Sequence, residues 1–319
     1  MRLSALRPPV VSPAGATRAF RLALAALCLI VVTGAGVRLS DSGLGCPDWP
    51  TCSGNRLVAA WHYHAVIEFG NRVVTVLVTA AVAVALLAAW RRVPRRRDLV
   101  WLAGGLVVGV IAQAVLGGIT VLAKLAPGWV MAHFLLSMAV IAVAVVLVSR
   151  SKEGEGVATP KVGAEVMLLG RVLVGVTAVV LGLGTVVTGA GPHAGSTGVG
   201  RLPISPRDAA EIHSALVFLL VGVTLASVLL LRPPRVPADV TARARVLMYA
   251  VGVQGAIGYI QYFTGVPAAL VGLHVVGAIV VWVSVLRLHL SLTCRVDPRV
   301  TGIVAEAAGT LDLAGVAGA

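Results

Sequence analysis

Charged residues are scarce in this sequence, at 12% of 319 residues, where a soluble domain carries about 25%. Aromatic residues are also few, at 5%, and only 13 acidic residues face 26 lysines and arginines. So few charges cannot cover the surface of a water-soluble globule of this length. Hydrophobic residues make up 58% of the chain and come in long blocks, which suits a bilayer. These blocks do not alternate apolar with polar residues, which excludes the strands of a transmembrane barrel.

Eight of the blocks are long enough to cross a bilayer as helices, which takes about 20 apolar residues. We therefore predict an all-α integral membrane protein with eight transmembrane helices. The blocks run approximately over residues 20–37, 65–90, 99–122, 129–148, 166–187, 209–231, 246–263 and 266–286.

The basic residues are concentrated in the connections on one side of the predicted membrane. If the spans alternate in direction, most of the 26 lysines and arginines fall on the side that carries both termini. This positive-inside distribution predicts a multi-pass protein of the plasma membrane with both termini in the cytoplasm. The charge then encodes topology and contact with anionic membrane lipid. We predict no nucleic-acid partner, because no single basic face remains to bind one.

Cysteine is rare, with four residues in the chain. Cys46 and Cys52 fall in the predicted external loop 39–63, and an oxidising compartment permits a disulfide between them. Two free thiols are the alternative, but a loop rich in glycine and proline gains from a cross-link. Cys28 lies within the first span and Cys294 on the cytoplasmic side, so neither is expected to pair.

The two halves of the chain share sequence features. The same six residues occur at Val31–Gly36 and at Val186–Gly191, near the ends of the first and fifth spans. Each half also has a glutamine 20 residues before a histidine. These pairs are Gln113 with His133, and Gln254 with His274. Because each half contains an even number of spans, the two should have the same orientation in the membrane.

The sequence thus predicts two tandem, pseudo-symmetric four-helix bundles. A polar, glycine-rich segment separates them, and an Ala/Gly-rich tail, predicted to be disordered, follows the second. The predicted segments are the cytoplasmic N-terminal segment 1–19, the first half 20–150, the linker 151–165, the second half 166–290 and the tail 291–319.

Ionisable residues within membrane spans are costly, so each suggests a function. In the second half, His213 and His274 lie at similar depths on the sixth and eighth spans. Two imidazoles at one depth in a four-helix bundle can ligate the iron of a haem. Interfacial histidines bonded to carbonyls or headgroups are the alternative. Because the pattern recurs in the other half, we favour haem ligation.

The first half is similar but not identical. His133 corresponds to His274, whereas the position that corresponds to His213 holds Asn71, an amide that rarely ligates haem iron. His64 lies two helical turns earlier, about 10 Å nearer the surface, and could ligate only a haem that sat higher or was tilted. The difference suggests that one half holds a redox haem while the other accepts a haem as substrate.

Glu68 lies between His64 and Asn71 on the second span. A carboxylate beside the substrate can act as a general base or stabilise developing positive charge. The alternative is a salt bridge to Arg72, four residues further along the helix. We favour the catalytic role, because the carboxylate lies in a membrane span near His133.

The loop after the first span resembles the corresponding loop of the haem A synthase family. The similar residues are Gly36–Leu39, Ser42–Pro50 and Cys52. Thr188–Gly195, after the fifth span, is similar to its counterpart in that family. In the second span the family has Glu-x-x-His-Arg. Here the glutamate and arginine match, and asparagine replaces the histidine. The family's other haem-ligating histidines correspond to His133, His213 and His274.

The resemblance implies oxidation of the C8 methyl group of haem O to a formyl group, which gives haem A for a terminal oxidase. A haem b on His213 and His274 would carry electrons. Haem O would bind in the first half, with His133 as an axial ligand and Glu68 near the reacting edge. The second face of haem O would meet either His64 or no protein ligand, and it would lie beside Asn71 and Arg72.

The implied partners are haem O synthase, terminal oxidase assembly factors and a membrane electron acceptor. Two other functions remain open at this point. One is an electron-carrying cytochrome b with two histidine ligands. The other is a haem transporter or assembly protein built on the parallel repeat.

Overall fold

The computed structural model describes residues 10–59, 61–231 and 236–295. In these ranges it contains eight long helices, each long and apolar enough to cross a membrane. The helices are α1 (Pro13–Leu39), α2 (Tyr63–Arg91), α3 (Arg97–Leu122), α4 (Pro127–Arg150), α5 (Ala164–Ala190), α6 (Pro206–Leu230), α7 (Ala238–Phe263) and α8 (Ala268–Ser291). The predicted all-α, eight-span membrane fold is therefore confirmed, and the chain is a multi-pass membrane protein.

Several helices begin before the apolar blocks do, because their first turns are polar. Ser12 caps α1 by accepting a hydrogen bond from the backbone N–H of Gly15 at 3.1 Å, and a proline follows as the first helical residue. Ser205 caps α6 in the same way, with Asp208 as donor at 3.0 Å. Serine before proline is a strong helix start. Residues 13–19 of the predicted N-terminal segment therefore belong to α1.

Two strands of two residues each connect the linker to the end of α8. β1 (Thr159–Pro160) pairs antiparallel with β2 (Thr293–Cys294). The connection between α4 and α5 runs over residues 151–163. The start of the predicted tail, 291–295, is ordered by this pairing, and the remainder of the tail lies outside the described residues.

The eight helices pack as two rings of four. α1 contacts α2 and α4, and α3 also contacts α2 and α4, so that α2 and α4 lie on a diagonal of the first ring. The second ring repeats this order with α5, α6, α7 and α8, and its diagonal pair is α6 and α8. The rings meet where α8 packs against α4 and α1, and where α4 packs against α5. A symmetry relation between the two rings stays a prediction.

The buried apolar core of each ring lies away from the long loops 40–62 and 191–205. In the first ring it includes Phe20, Leu99 and Ile141, and in the second Val240 and Leu247. These residues lie in the halves of the helices nearer to the connections rich in arginine, which we call the arginine-rich end. The opposite end, formed by loops 40–62, 123–126, 191–205 and 264–267, is called the loop end. The candidate site residues lie toward the loop end: His64, Glu68, His133, His213 and His274.

Candidate functional site

The second ring brings its two predicted ligands to the same depth. His213 is the eighth residue of α6, and His274 is the seventh residue of α8. At about 1.5 Å per residue, both lie roughly 10 Å from the loop-end start of their helices. Because α6 and α8 are the diagonal pair, the two histidines lie on opposite sides of the ring.

Each of these imidazoles lies against a glycine of a neighbouring helix. A Cβ atom on Gly258 of α7 would lie 3.1 Å from Cε1 of His274, and one on Gly184 of α5 would lie 3.4 Å from Cε1 of His213. Gln254 donates a hydrogen bond to the carbonyl of His274 at 2.9 Å. These two glycines therefore leave the space in which the imidazoles of His213 and His274 lie.

The Nδ1 atoms of His213 and His274 are buried and have no hydrogen-bond partner in the described part of the chain. Buried polar atoms are nearly always paired, so an unpaired ring nitrogen indicates a side chain that the protein alone does not satisfy. Each of these histidines therefore has a ring nitrogen that is available to a group from outside the chain. Haem iron takes neutral imidazole at its axial positions. Two imidazoles on opposite sides of a four-helix ring therefore fit a haem.

The first ring has one histidine in the same setting. His133 is the seventh residue of α4, and a Cβ on Gly117 of α3 would lie 3.1 Å from its Cε1 atom. Gln113 donates to the carbonyl of His133 at 3.1 Å and to Oγ of Ser137 at 2.7 Å. Its Nδ1 is also buried without a partner among the described residues. The glutamine, glycine and histidine arrangement of α7 and α8 thus recurs in α3 and α4.

The opposite side of the first ring differs. Asn71 is the ninth residue of α2, and its Oδ1 accepts a hydrogen bond from Thr33 of α1 at 2.8 Å. His64 is the second residue of α2, is exposed, and lies 3.0 Å through Nδ1 from Oγ of Ser42 in the first loop. It therefore lies at the rim, about 10 Å above Asn71. The described residues place one histidine, His133, at the depth of the candidate haem in this ring.

Glu68 is buried, with 6% of its surface exposed. Its Oε2 accepts a hydrogen bond from the backbone N–H of Cys46 at 2.6 Å, and its Oε1 accepts one from Arg72 at 2.8 Å. The salt bridge weighed as the alternative role is therefore present. Arg72 also donates to the carbonyls of Cys46 and Asp48, both at 3.0 Å, and of Thr51 at 2.8 Å. The pair thus fixes the first loop on α2, and a catalytic role for Glu68 stays a prediction.

The predicted disulfide between Cys46 and Cys52 is confirmed, and both cysteines are buried. Cys28 and Cys294 are free, as predicted. The disulfide closes the segment that Glu68 and Arg72 hold. This part of the loop is therefore fixed covalently and by charge-assisted hydrogen bonds, which are stronger than neutral ones.

The loops of the two rings join into one cap. Arg38, at the end of α1, donates from Nε to the carbonyl of His193 at 2.6 Å and from a terminal nitrogen to that of Thr188 at 3.0 Å. The N–H of Gly43 donates to the carbonyl of Gly195 at 2.8 Å. Gly195 has a φ of +97°, which glycine adopts without strain. The two loops are therefore joined by direct hydrogen bonds.

The sequence reasoning missed the glycines behind the histidines, Ser42, and Trp49, whose ring lies on Gly118 of α3. A signal existed for two of the glycines, because each follows the paired glutamine by four residues. No such signal existed for Ser42 or Trp49, whose contacts join segments far apart in the chain. Within the described ranges, no three histidine, cysteine, aspartate or glutamate residues meet as a metal-ion site, so the paired histidines are the ligand candidates.

The fold and these side chains define a class: multi-pass helical membrane proteins built as two four-helix rings with histidines in their loop-end halves. Residues 18–196, just over half of the chain, match the COX15-CtaA family, described as cytochrome oxidase assembly protein. The chain belongs to this family.

Similar curated proteins carry the name heme A synthase. The protein of Symbiobacterium thermophilum is 39% identical over 156 residues, which is 47% of this chain and 50% of that protein. That of Lysinibacillus sphaericus is 33% identical over 113 residues, 35% of each chain. One from Bacillus cereus is 32% identical over 130 residues, 39% of this chain and 40% of the relative. The chain thus spans half or less of the length of these relatives.

Proposed function

We propose that this chain is a haem A synthase, which oxidises the C8 methyl group of haem O to a formyl group. The observation that carries the proposal is the contrast between the two rings. His213 and His274 form a matched pair, whereas the helix diagonal to that of His133 carries Asn71 at the corresponding depth. Two unequal sites suit one resident haem and one haem that must enter and leave. The name shared by the similar proteins supports this assignment.

In the second ring, His213 and His274 would hold a haem b. When bound, this haem supplies one-electron transfer. Two histidine ligands from the protein would favour electron transfer over binding of a further ligand. Gly184 and Gly258 leave space for the imidazoles of His213 and His274. Contacts around a metal-bound histidine govern how well it ligates.

In the first ring, His133 would bind the iron of haem O. The amide of Asn71 is engaged by Thr33, so the protein offers one histidine at this depth. A single axial ligand holds a haem less firmly than two, which lets substrate and product exchange.

Glu68 would act beside the reacting methyl group. Both of its oxygens accept hydrogen bonds, one from Arg72 and one from the N–H of Cys46, which hold the carboxylate in place. Hydrogen bonds from charged groups stabilise the ionised form, which can receive a proton or stabilise developing positive charge. With water as the oxygen source, oxidation of the methyl group to the formyl group releases equal numbers of electrons and protons. A membrane electron acceptor is therefore a required partner.

The cellular setting follows from the same proposal. Haem O synthase would supply the substrate, and terminal oxidase assembly factors would receive the product, in keeping with the family description. The arginine-rich end would face the cytoplasm together with both termini, and the chain would lie in the plasma membrane. Anionic lipid would contact that end.

The test is conversion of haem O to haem A by the purified protein with an electron acceptor. His274→Ala should remove the haem b absorbance. Glu68→Gln, which keeps an acceptor for the N–H of Cys46, should keep that absorbance and abolish turnover. Glu211→Gln is the matched control, because Glu211 makes the same i,i+4 contact with an arginine at 2.8 Å but is exposed.

Normal turnover by Glu68→Gln would refute the role of that carboxylate. Wild-type protein that carries haem b but makes no haem A would refute the proposed activity itself.

A further inference from the structure

Trp49 lies between two helices of the first ring. Its neighbours in the chain, Asp48 and Thr51, accept hydrogen bonds through their carbonyls from Arg72 of α2. Its own indole lies on α3, where a Cβ on Gly118 would be 2.5 Å from Cδ2 and 2.8 Å from Cε2. The disulfide segment thus extends from α2 to α3 at the loop end, and the indole lies on the α3 side.

The indole is also close to the candidate substrate ligand. Gly118, which contacts Trp49, directly follows Gly117, which contacts His133. Successive residues of a helix point about 100° apart. The indole and the imidazole therefore lie on adjacent faces of the same turn of α3. Trp49 keeps 41% of its surface exposed, so part of the ring remains free for contact.

Away from the loop end, the junction of α2 and α3 presents apolar side chains to the bilayer. Val76 lies one turn below Arg72 on α2, and Val115 lies one turn below Gly118 on α3. Both are exposed large hydrophobic residues. An apolar surface therefore runs from Trp49 along the outside of the ring.

Haem O differs from haem B by a long isoprenoid chain on the porphyrin edge. With its iron on His133, the macrocycle lies at the loop-end half of the first ring, above the core that includes Leu99 and Ile141. That packed core occupies the half of the ring below the macrocycle, so the chain would leave toward the loop end or between two helices. At the loop end of the α2–α3 junction, the partly exposed indole of Trp49 lies on α3 and offers an apolar surface to such a chain.

We propose that Trp49 forms a binding site for the isoprenoid chain of the haem substrate, at the α2–α3 junction of the first ring. The inference rests on the proposed function, and it assigns this residue to substrate selection rather than to the chemistry. Contact of the chain with the indole removes apolar surface from water and lipid headgroups, and aromatic rings supply large contact areas. The site would distinguish haem O from haem B, which lacks the chain.

The test is titration of purified full-length protein, with its second ring already loaded, with haem O and with haem B. Trp49→Ala should weaken haem O binding about tenfold and leave haem B binding to the first ring unchanged. Trp49→Phe should keep most of the preference. Trp61→Ala is the matched control, because Trp61 belongs to the same loop but is 96% exposed.

Gly118→Ala tests the same site without touching the tryptophan. Its added Cβ would overlap the indole, so the ring must move and the preference for haem O should fall as in Trp49→Ala. Gly104→Ala is its control on α3, since no atom lies within 4 Å of a Cβ there. The absorbance of the second-ring haem reports whether each variant is folded. If Trp49→Ala does not fold, Gly118→Ala decides the question.

Wild-type preference for haem O in both Trp49→Ala and Gly118→Ala would overturn the inference. So would wild-type protein that binds haem O no better than haem B. Absence of haem A production in the turnover assay is a separate result: it refutes the proposed activity, while the binding preference still decides the chain site.

Discussion

One methyl group added at Gly258 should weaken haem binding in the second ring. The new Cβ would lie 3.1 Å from Cε1 of His274, closer than ordinary van der Waals contact, so the imidazole must shift by a few tenths of an ångström. Changes in the contacts that orient a metal-bound histidine typically cost about 10–100-fold in affinity. Because this shift is small, we expect Gly258→Ala to weaken haem b binding about tenfold. Gly258→Val, whose branched side chain reaches further, should weaken it more.

The control is the same change three residues earlier on α7. A Cβ on Gly255 would meet no atom within 4 Å, so alanine at this position disturbs no imidazole. Both alanine variants gain about 0.5–1 kcal/mol of helix stability, so this term cancels in the comparison. The assay is haem B per polypeptide in purified protein, followed by titration of stripped protein with haem B. Equal haem affinity in Gly258→Ala and Gly255→Ala would refute the role given to the glycine behind His274.

Three other substitutions test separate parts of the structure. Trp282→Phe removes the buried hydrogen bond of 3.0 Å from α8 to the α4 backbone between the rings, and should lower stability by about 1 kcal/mol; an unchanged melting temperature in detergent would contradict this. Asn71→His releases Thr33 and places an imidazole diagonal to His133, so a second low-spin haem spectrum should appear; no spectral change would contradict the single-ligand account. Arg38→Met removes the hydrogen bonds to the carbonyls of Thr188, near the end of α5, and of His193, in the α5–α6 loop. Amide hydrogen exchange in that loop should become faster, whereas unchanged exchange would show that the two loops are not coupled.

Hydropathy predicted the eight spans because lipid excludes unpaired backbone groups and admits long apolar helices. It missed the first turns of α1 and α6, where Ser12 and Ser205 supply caps through polar side chains. A capped polar turn lowers the local hydropathy while it stabilises the helix, so the apolar block begins later than the helix does.

The site was predictable where its signals are local. His213 and His274 can be matched in depth by counting residues along helices, and the cysteine pair is set by its loop. The contacts of Glu68 could not be predicted in full, since its bond to the N–H of Cys46 depends on how the loop folds back on α2. The position of Trp49 on α3 is a long-range contact of the same kind.

The central claim is that one ring holds a resident haem b and the other processes haem O. The most direct measurement is acid–acetone extraction of pigment from purified protein after incubation with haem O and an electron acceptor, with chromatographic identification of each haem. The account predicts haem B that stays constant, together with haem A that increases as haem O is consumed. Haem O recovered unchanged beside haem B, or protein without haem from cells supplied with it, would contradict the account.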